Sequence, residues 1–189
     1  MSTPFDQFDE VMQLREALSA ETDRGCALHA ASYLDNELGV MLASHFVDHA
    51  KTHKELLDGT GGLATFSARI AIAFALGLVS ENVRNDLTLI RKIRNDFGHN
   101  PAKIGFDHEP IANRCRELHF RWETLERPPR RFFENSVFAV ASQIHAAKWS
   151  AKRPAAPKEI VIDDEQREKH RKFVEQLMVT MTKDTEHRT

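Results

Sequence analysis

Residues 87–100 read LTLIRKIRNDFGHN. Leu87, Ile90, Ile93 and Phe97 recur at three- and four-residue steps, so they share one face of a helix that turns towards a core. Arg94 starts from the edge of that face, four residues after Ile90 and three before Phe97. His99 follows beside Gly98, a residue suited to ending a helix in a left-handed conformation. A guanidinium and an imidazole are therefore expected to project from one helix end, next to apolar packing. Asn95 lies between them.

The pattern on either side is helical too. Residues 6–18 form a polar opening helix with Phe8, Val11, Met12 and Leu14 as its apolar members. Asp23 is the expected cap of a long second helix, whose stripe runs Ala27, Ala30, Ala31, Leu34, Leu38, Met41 and Leu42. Asp58 to Gly62 (DGTGG) breaks the pattern and reads as a tight interhelical turn, since it lacks the Gly-Lys-Ser/Thr ending of a phosphate-binding loop. Thr65 caps FSARIAIAFALGL, apolar nearly all round and expected to be the central buried helix. Leu78 to Ser80 make a turn, and Ser80 caps the helix that carries Arg94. Beyond Pro101 come a helix over about 109–122, a break at Pro128-Pro129, and an amphipathic helix with Phe132, Phe133, Val137, Val140, Ile144 and Ala147. The organisation expected is a helical domain over 1–149, a Pro-containing linker over 150–162, and a charged helix and tail over 163–189. That last helix starts at Asp163 or Asp164, has Phe173, Leu177 and Val179 as apolar positions, and is too polar to stand alone. The fold class is all-α: a multi-helix bundle with an appended C-terminal helix.

Composition narrows the function classes. The 189 residues are 41% hydrophobic and 29% charged, with a net charge of −2. A near-neutral molecule exerts no global pull on nucleic acid or anionic membrane, so any such contact needs a local patch. No apolar run approaches the roughly 20 residues of a membrane span, and no leader peptide is visible. A cytoplasmic protein with no membrane partner is expected. Cys26 and Cys115 lack metal-ligand spacing and read as buried thiols. No cofactor motif is present.

The blocks ASYLDNELGVMLASHFVD, LLDGTGGLATFSARIAIAFALGLVS and LTLIRKIRNDFGHN, in this order and spacing, resemble the mannitol operon repressor family over about residues 24–118. The resemblance implies an all-helical bacterial protein named for transcriptional regulation and without a recognised DNA-reading motif. The near-neutral charge adds the expectation that it works mainly through protein contacts as a dimer. Locally, Arg94, Asn95 and His99 are also similar to the Arg-(four residues)-His signature of HEPN nucleases, helical bundles that often dimerise. That second resemblance implies metal-independent RNA cleavage. His99 would be general acid/base, Arg94 would stabilise the scissile phosphate, and Asn95 would orient them. A structural reading stands beside it: Arg94 paired with Asp35 or Glu37 on the second helix, with Asn95 and His99 satisfying carbonyls at a helix end.

Three further groups are candidates. Arg84, Arg91 and Lys92 lie on the outer face of the helix after the Leu78–Ser80 turn, where a helix-turn-helix would place phosphate contacts. Arg114, Arg116, Arg121, Arg127, Arg130 and Arg131 form the most basic stretch, readable as a phosphate patch or a solvated face. His45, His49 and His53 recur every four residues and on one continuous helix would form a ladder able to hold zinc, although no further ligand follows at fixed spacing.

Overall fold

The computed structural model describes residues 4–122 and 127–186, with side chains over 10–122 and 127–178. Phe8 and Val179, and the Glu123 and Glu126 neighbours of the basic stretch, lie outside the described side chains. Among the described residues eight α-helices follow one another: α1 Pro4–Ala20, α2 Asp23–His45, α3 Ala50–Leu57, α4 Phe66–Ala75, α5 Glu81–His99, α6 Glu109–Glu117, α7 Pro129–Trp149 and α8 Asp164–Glu186. Among the described residues there is no strand. The chain divides into two compact units, Met1–Ala155 and Ala156–Thr189.

Helix α2 is the axis of the first unit and packs on α1, α4, α5 and α7. Its small residues explain this: Ala27, Ala30 and Ala31 are buried and let neighbours approach closely, while Leu34, Leu38, Met41 and Leu42 fill the space between them. The α5 stripe of Leu87, Ile90, Ile93 and Phe97 meets it fully buried, as its spacing predicts. Helix α7 closes the core with Phe132, Phe133, Val137, Val140, Ala141 and Ile144. Phe106, from the loop before α6, sits between Phe97 and Phe133 with ring centroids at 5.1 and 5.0 Å.

Several local expectations are corrected. The cap of α2 is Thr22, whose side chain accepts from Gly25 N, because Asp23 is drawn elsewhere. Its carboxylate accepts from Phe106 N and from Arg130, tying the α5–α6 loop and α7 to the start of α2. Helix α4 is not the central helix: it has ten residues and buries only Ile70 and Ala73, leaving Phe74 38% and Leu76 49% exposed. Gly98 does not turn left-handed; α5 continues through it to His99 and ends on an extended Asn100. The helix expected over 109–122 stops at Glu117, and a 3-10 turn over His119–Arg121 follows, ending on Trp122 in the left-handed region. Buried Asp86 explains that break. Its carboxylate accepts from His119 N, Phe120 N and the Ser136 hydroxyl, so it replaces the hydrogen bonds a continued helix would have made.

The second unit is α8 with the extended segment before it. Asp163 caps the helix by accepting from Gln166 N at 2.8 Å. Pairs such as Glu165–Lys169 and Glu168–Lys172 line its polar side, while Phe173, Val174, Leu177 and Met178 remain exposed.

Candidate functional site

The turn after α3 sets the position of α4. Gly61 can only be glycine, since a Cβ there would lie 2.4 Å from the carbonyl oxygens of Glu55 and Leu56. Leu63 N then bonds Leu56 O, and Thr65 caps α4 by accepting from Ala68 N. Arg69 locks this corner. It donates to Leu63 O, Leu57 O, Asp35 O and Asp35 Oδ1 at 2.8–2.9 Å, with its side chain only 13% exposed. Gly39 makes the room: a Cβ at that position would press within 3.2 Å of the guanidinium. Burial raises the Asp35 carboxyl above its ordinary value, with Arg69 working against that shift.

Arg69 therefore takes the partner expected for Arg94, and Glu37 is taken as well. Glu37 Oε2 accepts from Lys148 Nζ at 2.8 Å and lies 3.2 Å from His145 Nε2. Those contacts, the His145 hydrogen bond foremost, hold its carboxyl down at about 2 despite burial. His145 is 1% exposed and also meets the Tyr33 hydroxyl at 3.1 Å; its Nδ1 has no hydrogen-bond partner and faces Glu10 at 3.8 Å. Burial, reinforced by Glu37, raises the Tyr33 hydroxyl pKa. This buried polar group was not anticipated. Its signal was present, because His145 lies four residues after Ala141 on the apolar side of α7, as Asp86 lies three after Val83 on that of α5.

Arg94 is exposed, and its Nη1 donates to the neighbouring Asn95 Oδ1 at 3.0 Å. It opens into a cleft of about 300 Å³ between α2, α4 and α5, shared with Ser32, Asp35, Ser67, Arg91 and Asn95. His99 opens into a different cleft, of about 500 Å³, with Asp96, His108 and Arg114. Asn95 lines both. Within one chain the structure thus separates the two groups that the nuclease signature would unite.

The remaining candidates also part company. Arg84 lies 4.8 Å over the Phe74 ring, Arg91 joins Arg94 in the smaller cleft, and Lys92 is exposed. In the basic stretch, Arg114 pairs with Asp96, and Arg130 bonds Asp23, Glu134 and two α1–α2 carbonyls. Burial opposes the Arg130 charge, yet Glu134 and Asp23 outweigh it and raise its pKa. Arg131 pairs with Glu134 too. Much of this charge serves packing.

The histidine ladder does not form, because α2 ends at His45 and α3 begins at Ala50. His45 donates to Met41 O, His49 caps α3 by accepting from Thr52 N, and His53 donates to Val47 O. No group of three metal-binding side chains converges among the described residues. Both cysteines are buried, and burial pushes their thiols up to about 12, which removes them as nucleophiles near neutrality. No helix among the described residues is long and apolar enough to cross a membrane.

Fold and surface define an all-helical bundle whose would-be reading helix, α5, is committed to the core, and whose clefts are lined by arginine, histidine and amide groups. The chain belongs to the mannitol repressor family, whose profile matches residues 9–180. It is 29% identical over 91 residues to the mannitol operon repressors of Escherichia coli strain K12 and of the O6:H1 strain CFT073, covering 47% of this chain. The aligned part spans 45% of the length of those relatives. Among solved structures, the X-ray structure of the MtlR–HPr complex from Escherichia coli matches with a TM-score of 0.61 at 21% identity. That match covers 71% of this chain and 97% of the other. The likeness establishes a shared fold.

Proposed function

We propose that this chain is a transcriptional regulator of the mannitol repressor type that acts through protein contacts, as a homodimer, rather than by reading bases. The observation that carries this reading is the outer side of α4, where Ala71, Phe74 and Ala75, with Leu76 at the C-cap, are exposed on a helix too apolar for a solvent role. A helix-turn-helix would need the outer side of α5 free to enter a groove, yet α5 is packed against α2, α4, α6 and α7. The related structure is of an MtlR–HPr complex, which supports a protein partner for this chain, and the α4 face is the surface we assign to that partner. The homodimer draws support from α8, whose exposed Phe173, Val174 and Leu177 on an otherwise charged helix suit a second copy of the same helix. The ribonuclease reading draws less support, because Arg94 and His99 face separate clefts.

A mannitol-operon reporter strain lacking its own repressor tests the proposal. Expression of this chain lowers reporter output, Leu76→Asp restores it, and the purified chain alone leaves no footprint on promoter DNA. Unchanged output with the unaltered chain, or a sequence-specific footprint without a partner, would count against it.

A further inference from the structure

We propose that the cleft between α2, α4 and α5 binds a small phosphomonoester through Arg91 and Arg94. The proposal is independent of which protein docks on α4. Its basis is a surplus of positive charge in a confined space. Asp35 is the acidic group on the cleft wall; its Oδ1 is engaged by Arg69 at 2.9 Å and its charge also acts on Arg94, so one carboxylate faces three guanidiniums. Arg91 makes no hydrogen bond or ion pair among the described residues, and Arg94 bonds only the neutral amide of Asn95. Two guanidiniums three residues apart on one helix repel each other. Their stems are held on α5 by the buried Ile90 and Ile93, which directly precede Arg91 and Arg94, so they cannot separate by moving the backbone.

An anion relieves that repulsion, and the chemistry selects which anion. A phosphomonoester carries close to two negative charges near neutrality and three terminal oxygens, enough for both guanidiniums to bond the same group. A phosphodiester offers one charge and two free oxygens and would satisfy only one arginine well. Hydroxyls of Ser32 and Ser67 on the same cleft wall suit the remaining oxygens or a polar substituent. At about 300 Å³ the space takes a phosphate with a few attached atoms, at the small end of ligand sites.

The test is calorimetric titration of the full chain with methyl phosphate, and with dimethyl phosphate in parallel. The chain binds methyl phosphate saturably and the diester at least tenfold more weakly. Arg91→Gln and Arg94→Gln each weaken monoester binding about tenfold, the size of one charge-assisted hydrogen bond. Lys92→Gln removes the same charge from the same helix outside the cleft and leaves binding unchanged. Thermal unfolding of each variant, matched to the parent, excludes misfolding as the cause. Absent binding, equal binding of the diester, or equal weakening by Lys92→Gln overturns the proposal.

Discussion

Arg69 illustrates how one side chain decides what its neighbours are free to do. Its four hydrogen bonds fix the α3–α4 corner on α2 and occupy Asp35, which leaves Arg94 at the surface. Replacing it with methionine strands Asp35 and two loop carbonyls, so Arg69→Met is expected to cost about 3 kcal/mol in urea denaturation. Glu37 gives a pH signature. Its folded pKa, about 2, lies below the ordinary 4.5, so the stability it contributes is fully present above pH 4.5 and is lost as pH falls through 2. In acid titrations of stability, Glu37→Gln should flatten the profile across that window, by at most about 3 kcal/mol. Sequence spacing placed Arg94 within reach of Asp35, but it could not rank two arginines competing for one carboxylate. That choice depends on which helix the tertiary fold lays against Asp35, and Gly39 on the next turn of α2 leaves room for the Arg69 guanidinium.

At the scale of elements, the apolar stripes of α2, α5 and α7 were legible because helical period and burial coincide in them. Helix α4 was misplaced for a physical reason. Hydrophobicity all round a helix implies burial only if the fold supplies enough neighbours, and among the described residues α4 packs chiefly on α2 and α5. Its uncovered side is the feature the proposed function uses. Leu76→Asp should change stability by no more than about 1 kcal/mol in thermal unfolding, since the side chain is half exposed. The candidate site was legible only in part. Arg94, Asn95 and His99 do line clefts, but the α4 start that walls the cleft of Arg91 and Arg94 lies on another helix. The histidine ladder failed because periodicity was read across a break at residues 46–49, where nothing in the spacing marks the end of α2.

For the whole molecule, the division into Met1–Ala155 and Ala156–Thr189 separates a core-bearing bundle from a helix without a core of its own. A chain ending at Ala155 should still unfold cooperatively yet behave as a monomer in light scattering. In the full chain, Leu177→Asp should likewise convert dimer to monomer while the bundle keeps its helical circular dichroism. A dimer that survives both changes would place the interface on the bundle instead. The central claim, that the bundle works by holding a protein on α4, is tested most directly by calorimetric titration with the HPr of its own host. The account predicts saturable binding by the unaltered chain, weakened at least tenfold by Leu76→Asp. Absent binding, or binding untouched by that substitution, would contradict it.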